Sequence, residues 1–165
     1  LPNAGKSTLI SSISGARPKI ADYPFTTLTP NLGMVNAPFG EPFAVADIPG
    51  LIEGAHEGIG LGINFLKHIE RTGILVHLID ASQIDEDNPL AAFEMINNEL
   101  VKYSETLAKK TQVIVLNKID IPGTAEKAAE FKQALPDSDI LLISAATGEG
   151  TQKLVKLLSS RLSKS

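Results

Sequence analysis

The chain has 165 residues, 43% of them hydrophobic and 21% charged, which is the balance of one globular domain with a core of its own. With 15 basic against 19 acidic residues the formal charge is −4, so there is no overall basic footprint for nucleic acid and any contact with RNA needs a local patch. The lack of cysteine excludes disulfides and thiolate metal sites. No apolar run reaches the roughly 18 to 20 residues of a membrane span and no signal peptide is legible, so the expectation is a soluble, cytoplasmic monomer.

The chain opens on Leu1-Pro2-Asn3-Ala4-Gly5-Lys6-Ser7-Thr8 and runs on into an apolar helix. Residues 16–30, rich in proline and threonine, and residues 49–62, with five glycines, read as long loops, which in a compact domain carry function or motion. Between them residues 31–37 are expected as a strand, with a turn at 38–42 that makes it antiparallel to the next strand at 43–47. Further short, almost wholly apolar runs at 74–80, 113–117 and 140–144 are what a parallel sheet covered on both faces demands. Helical spacing marks 64–71, 90–107, 125–134 and 151–162; in the last, Leu154, Leu157, Leu158 and Leu162 share one stripe and Lys153, Lys156 and Arg161 face water. The acidic triplet Asp85-Glu86-Asp87 reads as a solvated loop, and His68 and His77 as structural. Alternating strands and helices give an α/β doubly wound fold, mostly parallel with one antiparallel strand.

Four motifs fall where such a fold binds ligands, outside the carboxyl ends of its strands. Residues 1–8 match a phosphate loop apart from its opening glycine, which would stand one position before Leu1. In such a loop, spanning Leu1 to Thr8, backbone N–H groups and a helix N-terminus cradle phosphate, Lys6 reaches the β and γ phosphates, and the Ser7 hydroxyl binds Mg²⁺. A tetrapeptide that merely starts a helix is the alternative. Asp47-Ile48-Pro49-Gly50 ends a strand opposite this loop, where Asp47 would hold the Mg²⁺ shell, or else simply terminate the strand. Asn117-Lys118-Ile119-Asp120 ends another strand. A carboxylate at Asp120 accepts both guanine N1–H and its 2-amino group, a pair adenine does not offer, so it selects GTP and GDP over ATP. Asn117 and Lys118 would brace the base and tie this loop to the phosphate loop. Ser144-Ala145-Ala146 follows the last strand and offers a backbone N–H for guanine O6. Each motif alone has a bland reading as a turn; their joint order is that of the P-loop GTPase fold. A central strand leads into the phosphate loop of that fold, so residues 1–165 are expected to be a GTP-binding domain truncated at its N-terminus.

Over residues 47–72, Asp-Ile-Pro-Gly-Leu-Ile-Glu-Gly-Ala-His-Glu-Gly-Ile-Gly-Leu-Gly and then His68-Ile69-Glu70-Arg71-Thr72, the sequence closely resembles the Obg family of GTPases. Ala21-Asp22-Tyr23-Pro24-Phe25-Thr26-Thr27-Leu28 with Pro30-Asn31-Leu32-Gly33 resembles that family's first switch. The resemblance implies that Phe25 to Leu28 approach the nucleotide, that Thr27, rather than Thr26, joins Mg²⁺ when the γ-phosphate is present, and that Lys6, Thr27 and Gly50 act in hydrolysis. It implies a magnesium-dependent switch in large ribosomal subunit assembly and stress-linked growth control. Leu51 stands where many GTPases have a water-positioning glutamine, so hydrolysis should be slow unless K⁺, a partner, or a loop group such as His56 or Glu57 compensates. Asn3 occupies the place of an ion-coordinating asparagine in potassium-dependent relatives, with loop shaping as its alternative role. Leu51 also keeps open a second reading, a guanine-nucleotide or ppGpp sensor without significant turnover.

Overall fold

The computed structural model describes residues 3–15, 19–20, 31–38, 40–47 and 70–163. Helix α1 (Lys6–Ile13) is followed by strands β1 (Lys19–Ile20), β2 (Asn31–Val35), β3 (Phe43–Ala46) and β4 (Leu75–Asp80). A short 3-10 helix (Ala81–Gln83), helices α2 (Ala91–Tyr103) and α3 (Glu105–Ala108), strand β5 (Gln112–Asn117), helix α4 (Thr124–Ala134), strand β6 (Ile140–Leu142) and helix α5 (Thr151–Leu162) complete the described order.

The expected α/β fold is present, and among the described residues its strands pair as two sheets. β1, β2 and β3 are antiparallel, and β4, β5 and β6 are parallel. The hairpin of β2 and β3 is the expected one, with Val35 opposite Phe43. The reason for the division is that β3 and β4 each stand at a sheet edge, and no described strand pairs between them. Nor is 16–30 wholly irregular: Lys19 and Ile20 pair with Leu32 and Asn31.

β5 shows why its run is apolar at every position. Val113 and Val115 face a core completed by Leu9 and Ile13 of α1, Val35, Leu78, Ile143, and Leu154, Val155 and Leu158 of α5. Ile114 and Leu116 face the opposite way, against Ile79, Ala81, Ile84, Ala128 and Phe131. Burial on both faces removes the polar alternation that a half-exposed strand would show. On the first face α1 lies close against β2: a Cβ on Gly33 would come within 1.9 Å of the Ser14 hydroxyl and 2.8 Å of Ile10, so only glycine fits that contact.

The helix expected at 90–107 breaks in two at Ser104, whose backbone is extended (φ −159°, ψ 120°). The Ser104 hydroxyl accepts from the Leu107 N–H, capping α3, and donates to the Glu70 carboxylate at 2.7 Å. A serine that can cap the next turn ends a helix whose apolar spacing would otherwise continue. α5 keeps its expected limits, with Leu154 and Leu158 buried and Lys153 and Lys156 exposed. Asp85, Glu86 and Asp87 are exposed, as a solvated loop requires. The helix expected at 64–71 lies, except for its last two residues, outside the described residues, as does His68. Among the described residues no helix is long and apolar enough to cross a membrane.

His77 is buried in the middle of β4, stacked on Phe93 with ring centroids 5.1 Å apart, and neither ring nitrogen has a hydrogen-bond partner. Burial disfavours the charged imidazolium and lowers its pKa from 6.5 to about 4. Because the unfolded chain binds a proton at His77 more readily than the folded one, stability is intact above about pH 6.5. It falls as the pH drops from 6.5 toward 4 and then levels, a loss on the order of 3 kcal/mol. Urea melts between pH 7.5 and 4 should show this decline, and His77→Phe should flatten the part of it below pH 6.5. An unchanged pH dependence in the variant would remove His77 as its source.

Candidate functional site

Asn117 is the last residue of β5 and is only 2% exposed. Its Nδ2 donates to the Ala4 carbonyl at 2.8 Å, and its Oδ1 accepts from the Ala145 N–H at 2.9 Å. One side chain thereby joins three of the expected motifs: the loop at residues 3–8, the Asn-Lys-Ile-Asp loop and the Ser-Ala-Ala loop. The join dictates its neighbour. Gly5 has φ 93°, a left-handed conformation, and a Cβ there would lie 2.5 Å from Asn117 Nδ2. Asn3 also has a positive φ, 58°, which accords with its loop-shaping role, since asparagine tolerates that region better than most residues.

Gly5 is the N-cap of α1 and offers no side-chain cap, and the first turn carries no acidic residue. The amino end of α1 therefore presents N–H donors and a positive dipole end without an internal counter-charge in that turn. Lys6 Nζ lies 3.8 Å from Asp47 Oδ1, with the lysine side chain 32% exposed and the aspartate 9%. Burial raises the Asp47 pKa, and Lys6 only partly offsets it. Asp47 Oδ1 is buried without a hydrogen-bond donor, a state that a nearby cation would relieve. Ser7, exposed beside Lys6, accepts from Asn31 Nδ2 at 3.1 Å. The serine hydroxyl and the orphan carboxylate oxygen are hard donors of the kind Mg²⁺ takes, with water or phosphate oxygens completing its shell. No cluster of three or more His, Cys, Asp or Glu exists among the described residues, and this donor set needs none.

At the other end of the site the structure departs from the expectation for Lys118. Its Nζ pairs with Asp80 at 2.6 Å, and among the described residues the side-chain tie from this loop to residues 3–8 is that of Asn117. The reason is register: Asp80 stands opposite Asn117 across β4 and β5, one residue before Lys118 turns away with φ 69°. Burial pushes the Asp80 carboxyl up, but bonds from Lys118 and Ser82 outweigh it and hold it below its ordinary value. The loop is braced from behind by the buried Thr124 at the start of α4. Its hydroxyl donates toward the Ile119 and Ile121 carbonyls, at 3.2 and 2.8 Å. Asp120 itself is exposed. In the last loop, Ser144 is buried and its hydroxyl accepts from the Thr147 N–H. Since the Ala145 N–H is taken by Asn117, the exposed Ala146 N–H is the donor this loop leaves for a base.

Leu1, Pro2, Phe25, Thr26, Thr27, Leu28, Ile48, Pro49, Gly50, Leu51, His56 and Glu57 lie outside the described residues. Asp80, Thr124 and Asn31 take supporting roles that the sequence alone does not assign. For Asp80 a signal was present, a carboxylate closing an apolar strand, but its partner depends on sheet register.

Removing the Asn117 side chain would leave the Ala4 carbonyl and the Ala145 N–H unpaired in a buried place, at about 1–3 kcal/mol each. Asn117→Ala is expected to weaken GDP binding at least about tenfold and to lower the melting temperature, read by calorimetric titration and thermal unfolding. Affinity and melting temperature equal to wild type would show that the three loops hold together without it.

Comparison with known families matches residues 1–118 to the 50S ribosome-binding GTPases. A GTPase Obg from Desulforapulum autotrophicum is 70% identical over 162 residues, covering 98% of this chain and 47% of the relative. A GTPase Obg from Moorella thermoacetica is 60% identical over 163 residues, covering 98% of this chain and 38% of the relative. The chain thus spans about half or less of the length of these curated relatives. Among solved structures, the cytosolic domain of L. pneumophila FeoB aligns with a TM-score of 0.65 at 20% identity, over 97% of this chain and 65% of that one. The G domain of the T. maritima FeoB iron transporter aligns at 0.63 and 19% identity, over 96% and 93%. At such identities these two establish the P-loop GTPase fold alone. By the family match over residues 1–118 and the identities along nearly its whole length, the chain belongs to the 50S ribosome-binding GTPases and, among them, to the Obg GTPases.

Proposed function

We propose that residues 1–165 are the GTP-binding domain of a protein that hydrolyses GTP to GDP and phosphate with Mg²⁺. It acts as a slow switch in large ribosomal subunit assembly and stress-linked growth control in the cytoplasm. The observation that supports this reading is the Asn117 bridge, whose hydrogen bonds to Ala4 and Ala145 hold residues 3–8, the Asn-Lys-Ile-Asp loop and the Ser-Ala-Ala loop together.

In this reading the N–H groups at the start of α1 and the Lys6 ammonium hold the β and γ phosphates, while Asp120 and the Ala146 N–H read the guanine edge. When bound, Mg²⁺ supplies positive charge to the β and γ phosphate oxygens, with Ser7 and Asp47 holding it and Thr27 joining them in the GTP state. Water adds to the γ phosphorus as the bond to the bridging oxygen breaks, leaving GDP and phosphate, and the Gly50 N–H follows the loss of the γ-phosphate. Lys118, held by Asp80, would brace the base with its apolar stem.

Leu51 cannot orient a water, and this favours slow intrinsic turnover. It also favours the second reading, a sensor of GDP, GTP or ppGpp without physiological hydrolysis. Single-turnover hydrolysis by the full-length protein separates the two. The switch reading expects a slow rate that rises at least about tenfold with large ribosomal subunits, and that is faster in K⁺ than in Na⁺ at matched ionic strength if Asn3 holds an ion. No stimulation by subunits would favour the sensor, and equal rates in the two salts would leave Asn3 with loop shaping alone.

A further inference from the structure

Asn31 joins parts of the site that are far apart in the sequence. It is the first residue of β2 and directly follows the threonine-bearing segment 16–30. Its Nδ2 donates to the Ser7 hydroxyl at 3.1 Å, and its backbone carbonyl accepts from the Asp47 N–H at 2.9 Å. The side chain is not placed by a wandering loop. The antiparallel register that sets Leu32 opposite Ala46 fixes the backbone at Asn31 against the end of β3. Asn31 therefore spans the interval between Ser7 at the start of α1 and Asp47, whose buried Oδ1 has no close hydrogen-bond partner and whose charged form the Asn31 amide favours.

The chemistry of a hydroxyl gives this contact a purpose. A serine oxygen has one hydrogen and two lone pairs, and it rotates freely about its Cβ unless something fixes it. With one lone pair engaged by the Asn31 amide, the other lone pair and the hydrogen are left at defined angles. An amide that donates also leaves the serine oxygen free of any acidic partner that would compete for a cation. Groups that orient a metal ligand in this way commonly set affinity by one to two orders of magnitude without touching the ion.

We infer that Asn31 is a positioning residue for a divalent cation, holding the Ser7 hydroxyl and the Asp47 end of β3 in the mutual arrangement that binds it. The inference rests on the reading of Ser7 and Asp47 as Mg²⁺ holders given above. It also joins the start of β2 to the cation site through one side chain.

The test uses the full-length protein loaded with mant-GDP, whose release is followed over a Mg²⁺ titration and in excess EDTA. Asn31→Ala and the near-isosteric Asn31→Leu both lack the donor, and the leucine variant retains strand packing should alanine loosen the fold. Both are expected to raise the Mg²⁺ midpoint for GDP retention about tenfold while release in EDTA stays within about twofold of wild type. A midpoint within twofold of wild type overturns the inference, as does a release in EDTA accelerated as much as that in Mg²⁺, which would make Asn31 a residue of the nucleotide pocket or the fold. If GDP retention by the wild type is indifferent to Mg²⁺, the metal reading itself falls and the inference with it.

Discussion

Asn117 makes two hydrogen bonds in a place that water does not reach, and the geometry of the whole site follows from them. A carboxamide has a donor end and an acceptor end, so it can satisfy a carbonyl from one loop and an N–H from another at once. An aspartate in its place could not donate to Ala4, and a lysine could not accept from Ala145. Buried groups left unpaired are costly, so opening either half of the bridge is disfavoured. Gly5 is the corollary, because the approach of the amide leaves no room for a Cβ.

Around that neutral bridge the charges are separated into two pairs. Lys6 faces Asp47 at the phosphate end, and Lys118 faces Asp80 at the base end. The two aspartates close strands of different sheets, yet their environments oppose each other. Burial raises the pKa of Asp47, whereas the bonds from Lys118 and Ser82 overcome burial and lower that of Asp80. The Asp80 pair is complete in itself and holds a strained turn at Lys118. The pair at Asp47 is long and leaves a carboxylate oxygen without a donor, the condition of a site that gains by accepting a cation. In a chain of net charge −4, the amino end of α1 thus sets N–H donors and the positive end of the helix dipole beside Lys6.

Much of this was legible in the sequence because strands and motifs there are local. The apolar runs located β3 to β6 within a few residues, and the spacing that singles out Asn117, Lys6 and Asp47 marks residues that the structure brings into contact with other loops. What escaped was set by pairing across the fold. Ser104 was hidden inside an apolar helical pattern, because capping competes with periodicity at a single residue. The partner of Lys118 depended on the β4 and β5 register, which composition does not encode. The two-sheet arrangement depended on which strand edges meet, and the two-residue strand β1 carries too little pattern to be read inside a loop. The importance of Asn31 lay in its contact with a residue 24 positions away.

The central claim is that the face organised by Asn117 recognises guanine through Asp120. It is tested most directly by titrating GTP, XTP and ATP in Mg²⁺ into the full-length wild type and Asp120→Asn, because the substitution changes only which base edge the loop complements. Wild type should bind GTP and reject ATP, and the variant should lose on the order of 2–4 kcal/mol of GTP affinity while gaining XTP, whose carbonyl accepts from the new amide. A variant that binds GTP as tightly as wild type and shows no preference for XTP would contradict the account by removing Asp120 from the base site.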